Sequence, residues 1–159
     1  MNFMHKMALV MALGASVAVA QETRGEAKAM VAGKAVVVEY GRPMLAGRDM
    51  LGQAKAGVPW RMGSGSPTSF KSEADLSFGT VAVPKGSYIL TAVKDDKGSW
   101  SVIASKAEGG AKVAEFPLKS ETVKDSVDSF TIALTGKGNA GDFSMTWGTA
   151  KMSASFTGK

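Results

Sequence analysis

The chain has no cysteine and a single histidine, His5, close to its start. The first twenty residues, MNFMHKMALVMALGASVAVA, read as an export leader. His5 and Lys6 close a short basic stretch, and Met7 to Val17 form an apolar run too short to span a bilayer comfortably. Ala18-Val19-Ala20 is a small-x-small cleavage site, which places the mature start at Gln21. No cysteine follows the apolar run to carry a lipid, so no stable membrane anchor is expected. Removing 20 of 159 residues leaves 139, and the loss of Lys6 lowers the formal charge from +5 to +4. The expected exported chain, periplasmic or extracellular, then has neither imidazole nor thiol.

Those two absences exclude much chemistry. A Ser–His–Asp triad lacks its base, and thiol catalysis lacks its nucleophile. Zinc and copper sites lack their usual donors, so no metal and no cofactor is expected. No Ser-x-x-Lys occurs after the leader, which removes the simplest Ser–Lys acylating motif. Walker and dinucleotide fingerprints are missing too. The stretch GSGS at 63–66 has neither the lysine nor the following helix of a phosphate loop. Long runs of like charge are also absent. Lysines alternate with acids along the chain, which reads as a solvated mixed surface and not as a nucleic-acid face.

What is present has a period of two. Val36, Val38 and Tyr40 alternate with Val37 and Glu39. The run SYILTAVKD is apolar on both sides and reads as a central strand, and Trp100, Val102 and Ala104 share one face of the next. Asp95 to Gly98 forms the turn between these two. Phe130, Ile132 and Leu134, then Phe143, Met145 and Trp147, then Met152, Ala154 and Phe156 mark three later strands. GKGNAGD at 136–142 links the first two of them, and residues 121–129 fit one helical turn at most. Short strands at this spacing predict a single all-β domain over 21–159, an antiparallel sandwich or a related barrel. Phe130, Phe143, Trp147, Trp100, Tyr88 and Phe156 are its expected core.

One stretch breaks the period. From Gly41 to Pro59 there is no regular pattern, yet Met44, Leu45, Met50, Leu51, Val58 and Trp60 supply apolar anchors. A connection this long in a compact domain is usually functional or disordered, and its anchors predict an ordered flap packed across the sheet. Arginine is scarce: four against fifteen lysines, with Arg42, Arg48 and Arg61 inside twenty residues. A guanidinium is a permanently charged planar fork suited to carboxylate or phosphate. Two readings follow. In one, the three arginines line an anion site walled by Tyr40 and Trp60. In the other, they pin the flap by pairing with acids and loop carbonyls, and Arg48→Ala then unfolds the protein.

The segments YGRPMLAGRDMLG, WRMG at 60–63, VPKGSYILTA at 83–92 and WSVIAS at 100–105 resemble a family of bacterial exported proteins catalogued as domain of unknown function 2911. The resemblance covers nearly all of the mature chain and implies an exported β-rich domain with no established activity. After Trp-Arg-x-Gly that family usually shows an alanine, an asparagine and an acidic or polar residue. Here Gly65 and Ser66 stand at the last two of those places, while Thr68 matches.

The reading favoured by the residues is a non-enzymatic binding or interaction module, with a small anionic ligand or an envelope component as partner. A carboxylate-dependent hydrolase of envelope carbohydrate, using acids such as Glu39 and Asp49, is the competing class, and a purely structural envelope protein the third. On oligomeric state the sequence is silent. The leader is checked by the N-terminus of the protein recovered after export: Gln21 is expected, and a chain retaining Met1 refutes the assignment.

Overall fold

The computed structural model describes residues 23–159; the leader lies outside the described residues. Among the described residues ten antiparallel strands form two sheets. The first sheet has the order β1 (Arg24–Val31), β2 (Lys34–Gly41), β3 (Thr68–Ser72), β6 (Gly86–Lys94), β7 (Trp100–Lys106) and β8 (Lys112–Pro117). The second has the order β5 (Val81–Val83), β4 (Leu76–Phe78), β10 (Ala140–Gly158) and β9 (Lys119–Lys137). This is the expected all-β sandwich, not a closed barrel. Alternation decides which face is inside: Ala27, Ala29 and Val31 on β1 and Val36, Val38 and Tyr40 on β2 are buried, while Glu26, Lys28 and Glu39 face outward.

The six expected core aromatics are all buried. Five of them belong to two ring groups, while Tyr88 packs beside Phe70 at 6.3 Å. Phe78 stacks on Phe116 with centroids 3.9 Å apart, close to Phe156 and Phe143. The other group joins Tyr40, Trp60, Trp100, Phe130 and Trp147. Each ring removed from water contributes about 2–3 kcal/mol before entropy is counted.

Three expectations need correction. Residues 121–129 are not a helical turn but part of β9, which pairs with β10 across register shifts on either side of Gly148. Their side chains are mostly exposed on both faces, so burial imprints no alternating pattern, and the backbone ladder to β10 keeps them in the sheet. The link predicted at 136–142 shrinks to the two residues Gly138–Asn139 between β9 and β10. Runs 143–150 and 151–157 are likewise one strand, bulged at Gly148 with φ +64°.

The connection after β2 also departs from its predicted path. Arg42 N–H still donates to Thr23 O at 2.8 Å, within the first sheet. Pro43 has no N–H to give and only accepts, from Phe130 N–H on β9 at 2.9 Å; Leu45 N–H then donates to Asp128 O at 2.9 Å. The chain has changed sheets. It returns at Gly57, whose N–H donates to Lys94 O, and at Trp60, which exchanges two bonds with Ala92 of 2.7 and 2.8 Å. Residues 42–60 therefore bridge the second sheet to the first across the gap between them, and do not lie over a sheet face.

Beside this bridge the sheets touch directly. A Cβ at Gly136 of β9 would sit 2.2 Å from Met30 O of β1, so only glycine allows the approach. Ala32 N–H donates to Gly138 O at 2.8 Å, tying the two hairpin turns together. The Ala32–Gly33 turn has φ of +52° and +74°, a type I′ geometry that costs alanine about 1 kcal/mol. Ala32→Asn should raise stability by about 0.5–1 kcal/mol and Ala32→Val should lower it. Thermal unfolding followed by circular dichroism checks both, and two unchanged melting temperatures refute the strain.

Candidate functional site

The arginines of the 42–61 window divide among three surroundings. Arg42 is half-buried: its Nε donates to Phe130 O and its Nη2 to Thr131 Oγ1, each at 3.2 Å. Its stem lies over Gly25, where a Cβ would meet Arg42 Cδ at 2.7 Å and the Tyr40 ring at 2.8 Å. Arg48 is exposed and only faces Leu45 O, three residues back, at 3.5 Å. Arg61 is exposed and donates through Nη2 to Gly65 O. Next to it, Arg24 of β1 donates through Nη1 to Ser66 O at 2.9 Å. Arg24, outside the window that marked the others, is thus brought to the same turn as Arg61, while Arg42 and Arg48 are held elsewhere.

Among the described residues none of these guanidinium groups is paired with an acid. Among the described residues the ion pairs are Lys112–Glu115 and Lys151–Glu121, both on the surface. Of the two expected kinds of acceptor, acids and loop carbonyls, the arginines meet carbonyls, and Arg42 also a threonine hydroxyl. The physical reason is supply: the sheet change at 42–45, the bulged stretch of β9 and the irregular 61–67 segment leave main-chain oxygens without ladder partners, and a buried or half-buried carbonyl needs a donor.

Tyr40 is a core residue. Its ring stands edge-on to Phe130 at 5.6 Å and its hydroxyl donates to Ile132 O at 3.3 Å. Trp60 has two roles. It stacks on Trp147 with centroids 5.9 Å apart and planes 10° from parallel, and it packs edge-on to Phe130 and Trp100 at 5.1 and 6.0 Å. Half-buried, it also helps line a cleft of about 330 Å³ with Trp147, walled by Met50, Leu51, Val58 and Pro59. Gln53 and Lys55 supply polar groups to the lining. A neighbouring cleft of about 370 Å³ shares Leu51 and contains Asp49, Lys94 and Trp100. There Lys94 Nζ reaches Leu51 O at 3.4 Å and sits 5.8 Å from the Trp100 ring centre.

The acids considered for hydrolysis are dispersed. Glu39 stands on the outward face of β2, directly opposite Glu26 of β1. Asp49 lies in the bridging segment and accepts from Gly52 N–H at 2.9 Å. Among the described residues no group of three or more metal-ligating side chains converges. Burial, reinforced by the charge of Asp75, raises the pKa of the Tyr88 phenol, whose hydroxyl donates to Pro84 O. At neutral pH that phenol is a donor and not a base.

Thr68 has the one role in this region that the motif itself signalled. Its buried hydroxyl sits 2.8 Å from Met62 O and 3.1 Å from Arg61 O, so it can donate to either. It steadies a turn in which Met62 is fully buried with φ +56°. Arg24 carried no local pattern; only the β1–β2 register, which sets it opposite Gly41, reveals it.

A family model described as "Protein of unknown function (DUF2911)" matches residues 22–156. No curated protein matches the chain. No solved structure matches it either.

The two surroundings of Arg42 and Arg48 give opposite expectations. Arg42→Ala should lower stability by about 1.5–3 kcal/mol, since it removes charge-assisted bonds that tie β2 to β9. Arg48→Ala should stay within about 0.5 kcal/mol, contrary to the pinning role its position in the sequence suggested. Denaturant midpoints measure both, and equal losses refute the distinction.

Proposed function

The chain belongs to the DUF2911 family of proteins of unknown function, and from that premise we propose that it is an exported, non-catalytic binding module. Its binding site is the tryptophan-lined cleft beneath the 42–60 bridge. The observation that carries the reading is Trp60, stacked on Trp147 yet only half-buried, in a cleft whose walls are otherwise Met50, Leu51, Val58 and Pro59. A cleft of this volume lies at the small end of the range of ligand sites. Its lining suits an apolar ring or side chain, with Gln53 and Lys55 available for a polar or anionic end. Val58, 56 % exposed, and Met44, 59 % exposed, extend apolar surface along the same segment. Methionine adapts to varied apolar shapes, which favours a binding surface over a reaction centre.

Hydrolysis has no comparable support. Glu39 and Asp49 do not share the cleft, and its lining carries no carboxylate.

All three tryptophans lie in one contact group, so intrinsic fluorescence reports on this region directly. The probe is anilinonaphthalene sulfonate, an aromatic anion. The native protein should bind about one equivalent with energy transfer from tryptophan. Val58→Glu should keep the melting temperature and weaken binding about tenfold or more, an expected loss of about 1.4 kcal/mol. Failure of the folded protein to bind the probe, or undiminished binding by the variant, overturns the reading.

A further inference from the structure

The alternation that turns Trp60 inward sends Arg61 to the outer side of the first sheet, where the 63–66 turn folds back on the end of β2. The contact is close: a Cβ at Gly41 would lie 1.8 Å from Ser64 O. Arg24 is the cross-strand partner of Gly41 and so stands beside the same turn. Consecutive carbonyls, Gly65 O and Ser66 O, each take one guanidinium N–H, from Arg61 and Arg24 respectively. A guanidinium has five N–H donors, and no carboxylate among the described residues lies within ion-pair distance of either group.

The turn itself is rich in free donors. Among the described residues no main-chain oxygen accepts from the amides of Gly63, Ser64, Gly65 or Ser66. Met62, Gly63 and Gly65 have φ of +56°, +139° and +71°, and such irregular backbone can aim successive amides into one concavity, the arrangement that cradles anions. Ser64 Oγ, in the same turn, is buried with no hydrogen-bond partner among the described residues. Glu26 and Glu39 occupy the next outward positions on β1 and β2 and balance the two arginines in charge. Recognition here is therefore short-range donation to an oxyanion and not long-range attraction.

We infer that Arg24, Arg61 and the Gly63–Ser66 turn form a binding site for a phosphate group. The site is separate from the tryptophan cleft and does not depend on it. It is not a nucleotide loop, since a strand and not a helix follows; the charge a phosphate loop takes from its lysine comes instead from two arginines, one of them 42 residues upstream of the turn's last serine.

The test uses inorganic phosphate in thermal unfolding, with ionic strength held constant by sodium chloride. The melting temperature should rise with phosphate along a single-site curve. Arg24→Gln and Arg61→Gln should each lose most of that rise, while Arg48→Gln and Val58→Glu keep it. Sedimentation with phosphatidylglycerol vesicles, against phosphatidylcholine vesicles, separates the sources of the group. Arginine-dependent capture by the anionic vesicles assigns the phosphate to a lipid headgroup, and a response to free phosphate alone assigns it to a soluble ligand. No response in either arm, or an unchanged response in the Arg24→Gln/Arg61→Gln double variant, overturns the inference.

Discussion

The two hydrogen bonds that Trp60 exchanges with Ala92 fix the relation between the irregular segment and the sandwich. They place one residue of that segment in register with β6, in the slot next to β6 that β3 does not reach. Register then dictates sidedness. Trp60 enters the core against Trp147, and the cleft forms beneath it; Arg61 emerges on the opposite side, and the glycine-rich turn folds over Gly41. Both candidate sites are consequences of that single backbone pairing. A shift of one residue would bury the guanidinium and expose the indole.

Around this anchor, stability is distributed over backbone contacts that most side chains would obstruct. Gly136 against Met30 O and Gly41 against Ser64 O are places where a side chain cannot fit. Arg42 works in the same region with a different device: it reaches from the end of β2 to the carbonyl of Phe130, where the register of β9 slips. The scarce arginines thus serve chiefly as donors to main-chain oxygen. Three of them, Arg24, Arg48 and Arg61, keep spare donors on the surface, and of these Arg24 and Arg61 meet at the 63–66 turn.

Much of this architecture was legible in the sequence, because burial of one face imprints a period of two. The strands around Val36–Tyr40, Tyr88–Val93, Trp100–Ala104 and Phe130–Leu134 follow from that period, and so do their core aromatics. Residues 119–129 were illegible as a strand for the same reason reversed: with both faces wet, nothing forces alternation. The crowding of Arg42, Arg48 and Arg61 in the sequence suggested one site, but proximity along a chain that changes sheets is not proximity in space. Arg24 meets Arg61 only through the pairing of β1 with β2, a long-range fact that no local pattern encodes.

The flanks of the sandwich have a consequence for solubility. A sheet edge with open amides and carbonyls invites a second chain to add to it. Here β1 is shielded by β9, and the hairpin tips of both are tied through Ala32 and Gly138. The exposed early part of β9 alternates charges, Lys119, Glu121, Lys124 and Asp125, along its length. Charges on such a border discourage a like chain from docking. Along this flank shape and charge oppose edge-to-edge addition with no covalent staple.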